Sequence, residues 1–365
     1  MGRRSWWFRI NIIMAEFKIN SITDKSGYCG PVISGVSTNN STGCMIIPAG
    51  PTEFRGGRGR GVIGGGHSPA SGGIEVDTIE RIEIATAGNS VDFGNLTEAR
   101  RDLGSASSSI RGVFAGGGFP SVKTTIDYLI FSSQGGGNDF GELPISYFQP
   151  SGTSNDVRGL FAGGVKPSPT RGYDNIEFVT IATTGDSTEF GNLSTVRWAA
   201  AGVNSSTRAI YGGGTGAPTY TNLIEFVTIA TLGNPTDFGD LSSPARNVFP
   251  ACNSTRGIFA GGQTDPASPY GYTNTVEYIT MSTLGDTTNF GDLTQARARG
   301  AGISGTTRGV FLGGIIFTNP GTGSTNVIDF ITIASTGNAQ DFGDLLQDVH
   351  RSGAGASDSH GGLIQ

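Results

Sequence analysis

Among the residues that could carry chemistry in this 365-residue chain, an acidic or amide residue followed by Phe-Gly stands out. The triplet occurs six times, as Asp92-Phe93-Gly94, Asp139-Phe140-Gly141, Glu189-Phe190-Gly191, Asp237-Phe238-Gly239, Asn289-Phe290-Gly291 and Asp341-Phe342-Gly343. One Asp-Phe-Gly would suggest the magnesium-binding aspartate of a protein kinase, but the sequence has neither a lysine-bearing nucleotide strand nor a catalytic-loop motif. Repetition instead predicts a structural role for the six phenylalanines.

Other catalytic chemistries find little support in the sequence. The three histidines, His67, His350 and His360, do not stand at metal-ligand spacing with one another or with cysteine. Runs such as Gly64-Gly65-Gly66 lack the Gly-Lys-Ser/Thr of a phosphate-binding loop and indicate strand ends. Carboxylate pairs across repeats stay open, although most acids occupy turn positions that favour capping. We predict no metal, no cofactor and no catalytic residue, and therefore no enzyme.

Aromatic residues in the variable loops are the candidate binding residues. Six follow glycine-rich strand ends, in segments where the repeat does not require them: Phe119, Tyr173, Tyr220, Tyr270, Tyr272 and Phe317. Exposed rings on one rim would stack against sugars or a protein partner. Packing within the loop is the alternative for each ring.

Short strands in a repeat of about 50 residues must position these side chains. A basic residue before an apolar run recurs in register with the Phe-Gly pairs, at Arg60, Arg111, Arg158, Arg208, Arg256 and Arg308. Each unit contains an apolar strand ending in glycines, an alternating strand, the Phe-Gly strand and a final small-residue strand such as residues 200–206. Six units of four strands predict a β-propeller of six blades.

Composition agrees with an all-β fold and limits the partners. Glycine makes up 60 of the 365 residues, against a usual share of about 7%. The 21 Phe and 9 Tyr residues are enough to build a core. With a net charge of −6 and scattered arginines, the chain offers no basic stripe for nucleic acid. No apolar run approaches the roughly 18 residues of a membrane span, so we predict no membrane insertion.

The repeat resembles that of the kelch family of β-propellers, over roughly residues 59–365. In that family a strand ending in Gly-Gly is followed by an alternating strand, an aromatic residue and an arginine that leads into the innermost strand. The corresponding residues here are Arg100, Tyr147, Arg197, Arg246, Arg297 and either Val349 or Arg351. One arginine per repeat predicts cross-bracing between strands or blades, with ligand binding as the alternative. A copper-radical oxidase on this scaffold would need a His, Tyr and Cys cluster that we cannot assemble.

Ring closure is left open by the sequence. The segment His360–Ile364 begins a seventh copy of the first strand, whose place residues 61–66 already hold. A C-terminal strand could complete the first blade and remove an open sheet edge. On this pattern, one of the two segments must be displaced.

The N-terminal residues differ from the repeats. Residues 1–14 resemble a signal peptide only superficially, because Arg9 and Asn11 break the apolar stretch, and translation could begin at Met14. Residues 15–58 form a separate module with short β-like pieces. Its cysteines, Cys29 and Cys44, are interpreted as free small apolar residues rather than a bridge, and with Cys252 they make no disulfide framework.

The N-terminal module also resembles the leader of virion structural proteins of tailed phages that infect marine cyanobacteria. The matching segments are residues 19–27, 30–36, 45–53 and 55–61. The resemblance implies a tail, fibre or other virion protein, attached to virion partners through residues 15–58, with the propeller facing outward toward a host-surface glycan or protein. We expect a homo-oligomer, a trimer if it is a fibre. The alternatives are a cellular scaffold or sugar-binding lectin and, less favoured, a polysaccharide-degrading enzyme.

Overall fold

A computed structural model describes residues 37–39, 44–46, 59–68, 74–118, 121–167, 170–216, 219–265, 271–318, 322–346 and 353–359. The chain divides into two compact units, Met1–Arg55 and Gly56–Gln365, close to the boundary expected at residue 58. Cys29 lies outside the described residues, whereas Cys44 begins a strand. Across the described residues, no helix is long and apolar enough to cross a membrane.

The regular elements of the described residues are all strands, and they are numbered here in chain order. The first unit has β1 (Ser37–Asn39) and β2 (Cys44–Ile46), an antiparallel pair. The second unit begins with β3 (Arg60–Ser68), β4 (Ile74–Glu83) and β5 (Val91–Asn95). Next come β6 (Gly104–Ser107), β7 (Arg111–Ala115), β8 (Thr125–Ile130) and β9 (Asn138–Glu142). They are followed by β10 (Ser151–Ser154), β11 (Arg158–Pro167), β12 (Thr170–Thr180) and β13 (Thr188–Asn192).

The second half of this unit repeats the arrangement. It continues with β14 (Ala201–Asn204), β15 (Arg208–Gly212), β16 (Leu223–Thr228) and β17 (Thr236–Asp240). The next group is β18 (Phe249–Cys252), β19 (Arg256–Ala260), β20 (Gln263–Asp265), β21 (Gly271–Tyr272), β22 (Thr275–Thr280) and β23 (Thr288–Asp292). The last is β24 (Ala301–Ser304), β25 (Arg308–Leu312), β26 (Ile315–Phe317), β27 (Thr322–Ser324), β28 (Val327–Thr332), β29 (Gln340–Asp344) and β30 (Ala354–Ser357).

These strands form six four-stranded antiparallel sheets, the blades of a β-propeller, as predicted. Blade 1 contains β30-β3-β4-β5, and blades 2 to 4 run from β6 to β17 in chain order. Blades 5 and 6 are β18-β19-β22-β23 and β24-β25-β28-β29, with the hairpins β20–β21 and β26–β27 inserted between their second and third strands. The first strands of the blades contact one another in a closed ring and surround a central channel.

The small-residue strand opens a blade instead of ending one, which corrects the phase expected from sequence. Ala201–Asn204, for example, pairs with Arg208–Gly212 of the blade that follows it in the chain. The last small-residue strand, Ala354–Ser357, therefore has no later blade and pairs with Gly61–Gly64 of β3. A C-terminal strand thus completes the first blade, but it is formed by residues 354–357, and β3 keeps its place beside it. Residues 360–364 lie outside the described part.

The Phe-Gly pairs join each blade to the next. The phenylalanines are between 1% and 3% exposed and lie in core clusters shared by adjacent blades. In the pair Phe140-Gly141, the Phe140 carbonyl accepts a hydrogen bond from Gly185 N–H of blade 3 at 2.7 Å. A Cβ on Gly141 would lie 2.4 Å from the Gly185 oxygen, so only glycine fits. The residue before each phenylalanine lies exposed in the outer strand, not at a turn.

The arginines that begin the second strands brace the blades, as predicted from their repetition. Each Nη1 donates to a backbone carbonyl of the next blade, and Arg308 closes the ring by donating to Ile84 and Ala85. In five blades the guanidinium also stacks on an aromatic ring of its own third strand, as Arg158 does on Phe178 at 4.8 Å. Bracing therefore extends around the whole ring.

Candidate functional site at the channel mouth

The central channel is narrow because the innermost strands approach to backbone contact. A Cβ on Gly302 would lie 1.7 Å from the Pro250 oxygen, and one on Gly152 would lie 2.0 Å from the Ser105 oxygen. This crowding explains the small residues of these strands. The channel encloses about 170 Å³, less than the roughly 300 Å³ of a small ligand pocket. A ligand of sugar size or larger must therefore bind at a mouth of the channel.

One mouth lies on the face that we call the loop face. It carries the starts of the innermost strands and the connections between second and third strands, because the strands of each blade alternate in direction. Five non-glycine residues just before the innermost strands adopt a left-handed backbone conformation, with φ between 52° and 59°: Asp102, Gln149, Ala199, Asn247 and Arg299. The backbone N–H of each of the last four residues in this set donates to the carbonyl of the residue before it in the set, at 2.8 to 3.2 Å. A belt of left-handed residues thus forms the mouth rim.

Charge and hydrogen-bonding groups are distributed unevenly around the mouth rim. The Asp102 carboxylate accepts from Gln149 Nε2 at 3.0 Å and lies 3.5 Å from Arg101 Nε. By contrast, Asn247 Nδ2 is buried and has no hydrogen-bond partner within the described residues. Arg299, also on the rim, lines the cavity. The side of the mouth formed by blades 5 and 6 therefore offers donors to a ligand.

Arg246 adds a second positive charge to that side. Its guanidinium lies 4.8 Å from the centre of the Tyr220 ring, and its Nε and Nη2 donate to Gln263 Oε1 at 3.0 and 2.9 Å. Burial lowers the pKa of Arg246; the attraction of Tyr220 opposes this shift, and a smaller repulsion from Arg299 adds to it. Tyr272 and Asp102 act on the same guanidinium and favour its charged form. An anion placed here would relieve the repulsion between the two arginines.

Four of the six predicted loop aromatics are among the described residues, and these four lie on the loop face. Tyr173, Tyr220 and Tyr272 are half-buried, not freely exposed as expected. Tyr173 packs at 6.1 Å against Tyr147 of its own blade, and Tyr220 lies under Arg246. Phe317 is 48% exposed. The remaining two, Phe119 and Tyr270, lie outside the described residues.

The other arginines of the repeat are structural. Arg100, Arg197 and Arg297 are fully buried, and each donates to backbone carbonyls of the second and third strands. Each also pairs with a buried acid of the same blade; the pairs are Arg100–Asp127 (2.8 Å), Arg197–Glu225 (2.6 Å) and Arg297–Asp329 (3.1 Å). Burial lowers the pKa of Arg297 to about 10 despite the attraction of Asp329. Sequence reasoning misses these acids, although their spacing is regular. Each stands twelve residues before the aspartate that precedes a Phe-Gly pair, and it lies opposite that aspartate in the sheet.

Arg246 does not share this buried position, which corrects the register expected from sequence. The Ala245 carbonyl accepts from Gly214 N–H, as the Arg197 carbonyl accepts from Gly164 N–H. Ala245 is therefore the counterpart of Arg197, and Arg246 is one residue further along the chain, at the mouth. Tyr147 does occupy the predicted place, since its carbonyl accepts from Gly117 N–H. Val349 and Arg351 lie outside the described residues.

The mouth rim is another feature that sequence reasoning misses. Each member stands two residues after the buried Arg, Tyr or Ala position, so the repeat register could have located it. The residue type varies from Asp to Arg, however, and gives no motif. Groups of three or more His, Cys, Asp or Glu side chains able to hold a metal ion are not found in the described ranges.

Comparisons with known proteins agree with the architecture. No family model matches the chain, and no curated protein matches it. The chain is similar to the solved structure described as "Structure of YjhT", with a TM-score of 0.59 and 10% sequence identity. The match covers 72% of this chain and 88% of that one. A likeness at this level of identity supports the β-propeller fold alone.

Proposed function

We propose that this chain is a non-enzymatic binding protein carried on a viral particle, with the loop face of its propeller presented to a host-surface ligand. The observation that carries the binding role is the mouth of the central channel. There Arg246 lies over the Tyr220 ring and within electrostatic reach of Tyr272 and Arg299, and the rim also holds the buried Asn247 amide. Aromatic planes, guanidinium forks and an amide are the groups that recognise sugars and acidic side chains.

The ligand chemistry that suits this site is an anionic group on an extended chain. Two guanidinium groups act on each other in a protein of net charge −6, so the positive field at the mouth is local. Guanidinium forks bind carboxylate and sulfate oxygens in pairs. Because the channel holds only about 170 Å³, the ligand lies across the mouth. A surface polysaccharide with acidic groups, or an acidic protein segment, fits this description.

Binding to host cells tests the role of the mouth. The variants Arg246→Ala and Arg299→Asn remove the two positive charges. Each introduces a residue that another blade has at the equivalent position, since Ala298 is the counterpart of Arg246 and Asn247 is the counterpart of Arg299. The double variant should lose at least tenfold in affinity for host cells or their acidic polysaccharide, about 1.4 kcal/mol. Arg81→Ala is the control, because Arg81 pairs with Glu83 near the opposite face. Unchanged binding by the double variant, or equal loss in the control, would contradict the proposed site.

The virion part of the proposal rests on the N-terminal resemblance. Residues 15–58 would attach the protein to the particle and leave the propeller outside. Mass spectrometry of purified particles should find the chain in stoichiometric amount with other structural proteins. Its absence from particles, together with glycan binding by the isolated protein, would favour a cellular lectin instead.

A further inference from the structure

An acid recurs at one position in the third strand of every blade, directly opposite the residue before the repeated phenylalanine. The six acids are Glu80, Asp127, Glu177, Glu225, Glu277 and Asp329. A buried leucine comes shortly after each Phe-Gly pair. In five blades, the backbone N–H of the residue that directly follows such a leucine donates a hydrogen bond to the carboxylate. These donors are Leu346, Thr97, Ser194, Ser242 and Thr294. The position is therefore built to hold a negative charge.

Each of those five carboxylates also has a second kind of donor. Blades 2, 4 and 6 supply the guanidinium groups already described. In blade 5 the hydroxyls of Ser242 and Thr287 donate to Glu277, and in blade 1 the hydroxyl of Ser90 donates to Glu80. Charge or hydrogen bonding thus offsets the desolvation of these acids.

Blade 3 has lost all of these donors. Pro144 follows the buried leucine and has no N–H to donate. Tyr147 stands where blades 2, 4 and 6 have arginine, and its phenol carries no positive charge. The Ser187 hydroxyl, the counterpart of Thr287, is directed at the Glu142 carbonyl at 3.5 Å instead. Glu177 nevertheless remains 4% exposed.

Oxygen atoms occupy the place of the missing donors. Glu177 Oε1 accepts from Asn175 Nδ2 at 3.2 Å. Within the described residues, Glu177 Oε2 and Asn175 Oδ1 are buried and have no hydrogen-bond partner, and the buried Tyr147 hydroxyl, which makes no well-formed hydrogen bond, lies beside the Asn175 amide that already donates to Glu177 Oε1. Burial raises the pKa of both Tyr147 and Glu177, and the charge of Glu177 raises that of Tyr147 further, whereas hydrogen bonding from the Asn175 side chain opposes both shifts. Three buried oxygens that share a single amide donor are costly unless a positive charge joins them.

We propose that Glu177 Oε2, Asn175 Oδ1 and the Tyr147 hydroxyl bind a small monovalent cation that replaces the guanidinium of blades 2, 4 and 6. Sodium, potassium and ammonium ions prefer such hard oxygen donors. The site has one carboxylate, so one positive charge neutralises it, whereas a divalent ion would leave a net buried charge. This cation would stabilise the third blade and hence the ring.

Thermal unfolding of the full-length protein tests this site. We compare sodium, potassium and tetramethylammonium chloride at equal ionic strength, since tetramethylammonium is too large for the site. Sodium or potassium should raise Tm by about 2 °C or more relative to tetramethylammonium, with a rise that saturates. Glu177→Gln should abolish this difference, and Glu277→Gln should retain it, because the Glu277 position has its own donors.

A second variant protects the test against a misfolded Glu177→Gln protein. Tyr147→Arg restores the arginine of the even-numbered blades and should remove the cation dependence while the protein stays folded. Crystals soaked in thallium(I), as a probe for potassium, should show an anomalous peak beside Glu177 Oε2 that Tyr147→Arg lacks. Equal salt responses in all variants, or no thallium peak in the wild type, would overturn the proposal in favour of a protonated Glu177.

Discussion

Each repeated phenylalanine fills the gap between two blades with its ring and anchors the next blade with its carbonyl. Phe190 shows both contacts: its ring meets Phe178 edge-on at 6.1 Å, and its carbonyl accepts from Gly233 N–H at 3.0 Å. Leu160 on one side and Tyr211 of blade 4 on the other belong to the same cluster. The residue is thus fixed by its own blade and by its neighbour.

The substitution Phe190→Ala measures the packing part of this role. It keeps the carbonyl contact but opens a cavity between blades 3 and 4. We expect a loss of about 3 to 5 kcal/mol in the free energy of unfolding, measured by denaturant titration. Leu232→Ala serves as the control, because Leu232 is 59% exposed and should change stability little. A loss near zero at Phe190 would refute the packing role.

Cys252 predicts a dependence of stability on pH. Burial raises the pKa of its thiol to about 11. Between pH 9 and pH 11 the folded protein keeps this proton while the unfolded chain releases it, so stability falls as pH rises. The expected loss across this window is about 2 to 3 kcal/mol.

The difference between wild type and Cys252→Ala isolates this effect. Tyr147 and Tyr211, whose pKa values burial also raises, titrate in both proteins and cancel. Denaturant unfolding near pH 8 and near pH 10.5 should show the wild type losing more stability than the variant as the pH rises. A difference that stays constant with pH would show that the thiol ionises without hindrance.

At the scale of elements, β30 is the strand on which the ring depends. It pairs with β3 along four residues, and Arg60 N–H donates to Asp358 just beyond its end at 2.9 Å. The Ser105 hydroxyl of blade 2 donates to the Gly355 carbonyl, and the Ser357 hydroxyl donates to the Ser304 carbonyl of blade 6. One short strand thus joins three blades.

Two C-terminal truncations test this closure. A chain that ends at residue 352 lacks β30 and leaves an open edge on β3, so calorimetry should show a lower Tm and a broader transition. A chain that ends at residue 359 keeps the strand and should unfold like the full-length protein. Identical transitions in the two truncated chains would mean that β30 does not close the ring.

At the scale of the whole molecule, a single shallow mouth would bind a surface polymer weakly. Several copies on one particle would raise the apparent affinity by multivalency. The N-terminal module, which contains the hairpin β1–β2, is the proposed means of joining copies. We therefore predict a homo-oligomer held through residues 15–58, a trimer if the protein is a fibre.

Light scattering on two chains checks the oligomeric state. The chain that starts at Met14 should run as an oligomer at micromolar concentration, and the chain that starts at Arg58 as a monomer. The second chain keeps every strand of the propeller, so it is a matched control. If both run as monomers, the module does not join copies by itself.

Local sequence determined the strands and their number. The alternating and glycine-ended runs specify strands through side-chain period and backbone freedom, which are properties of neighbouring residues. The six Phe-Gly pairs and the arginines that begin the second strands gave six units, and the propeller followed from four strands in each. The burial of Phe190 and the bracing by Arg158 could be predicted for the same reason, because a repeated residue in a closed ring meets the same neighbour each time.

Tertiary structure decided the phase of the blades, the ring closure and the site. Hydrogen bonds between chain ends joined Ala354 to Gly64, a pairing between segments far apart in sequence. Only the folded backbone showed that Ala245, and not Arg246, is the counterpart of Arg197, which moves Arg246 to the mouth. The unpartnered oxygens around Glu177 became visible only when Pro144 and Tyr147 were brought beside it. Such features depend on contacts between distant residues, whereas sequence patterns report mainly the local preferences of the chain.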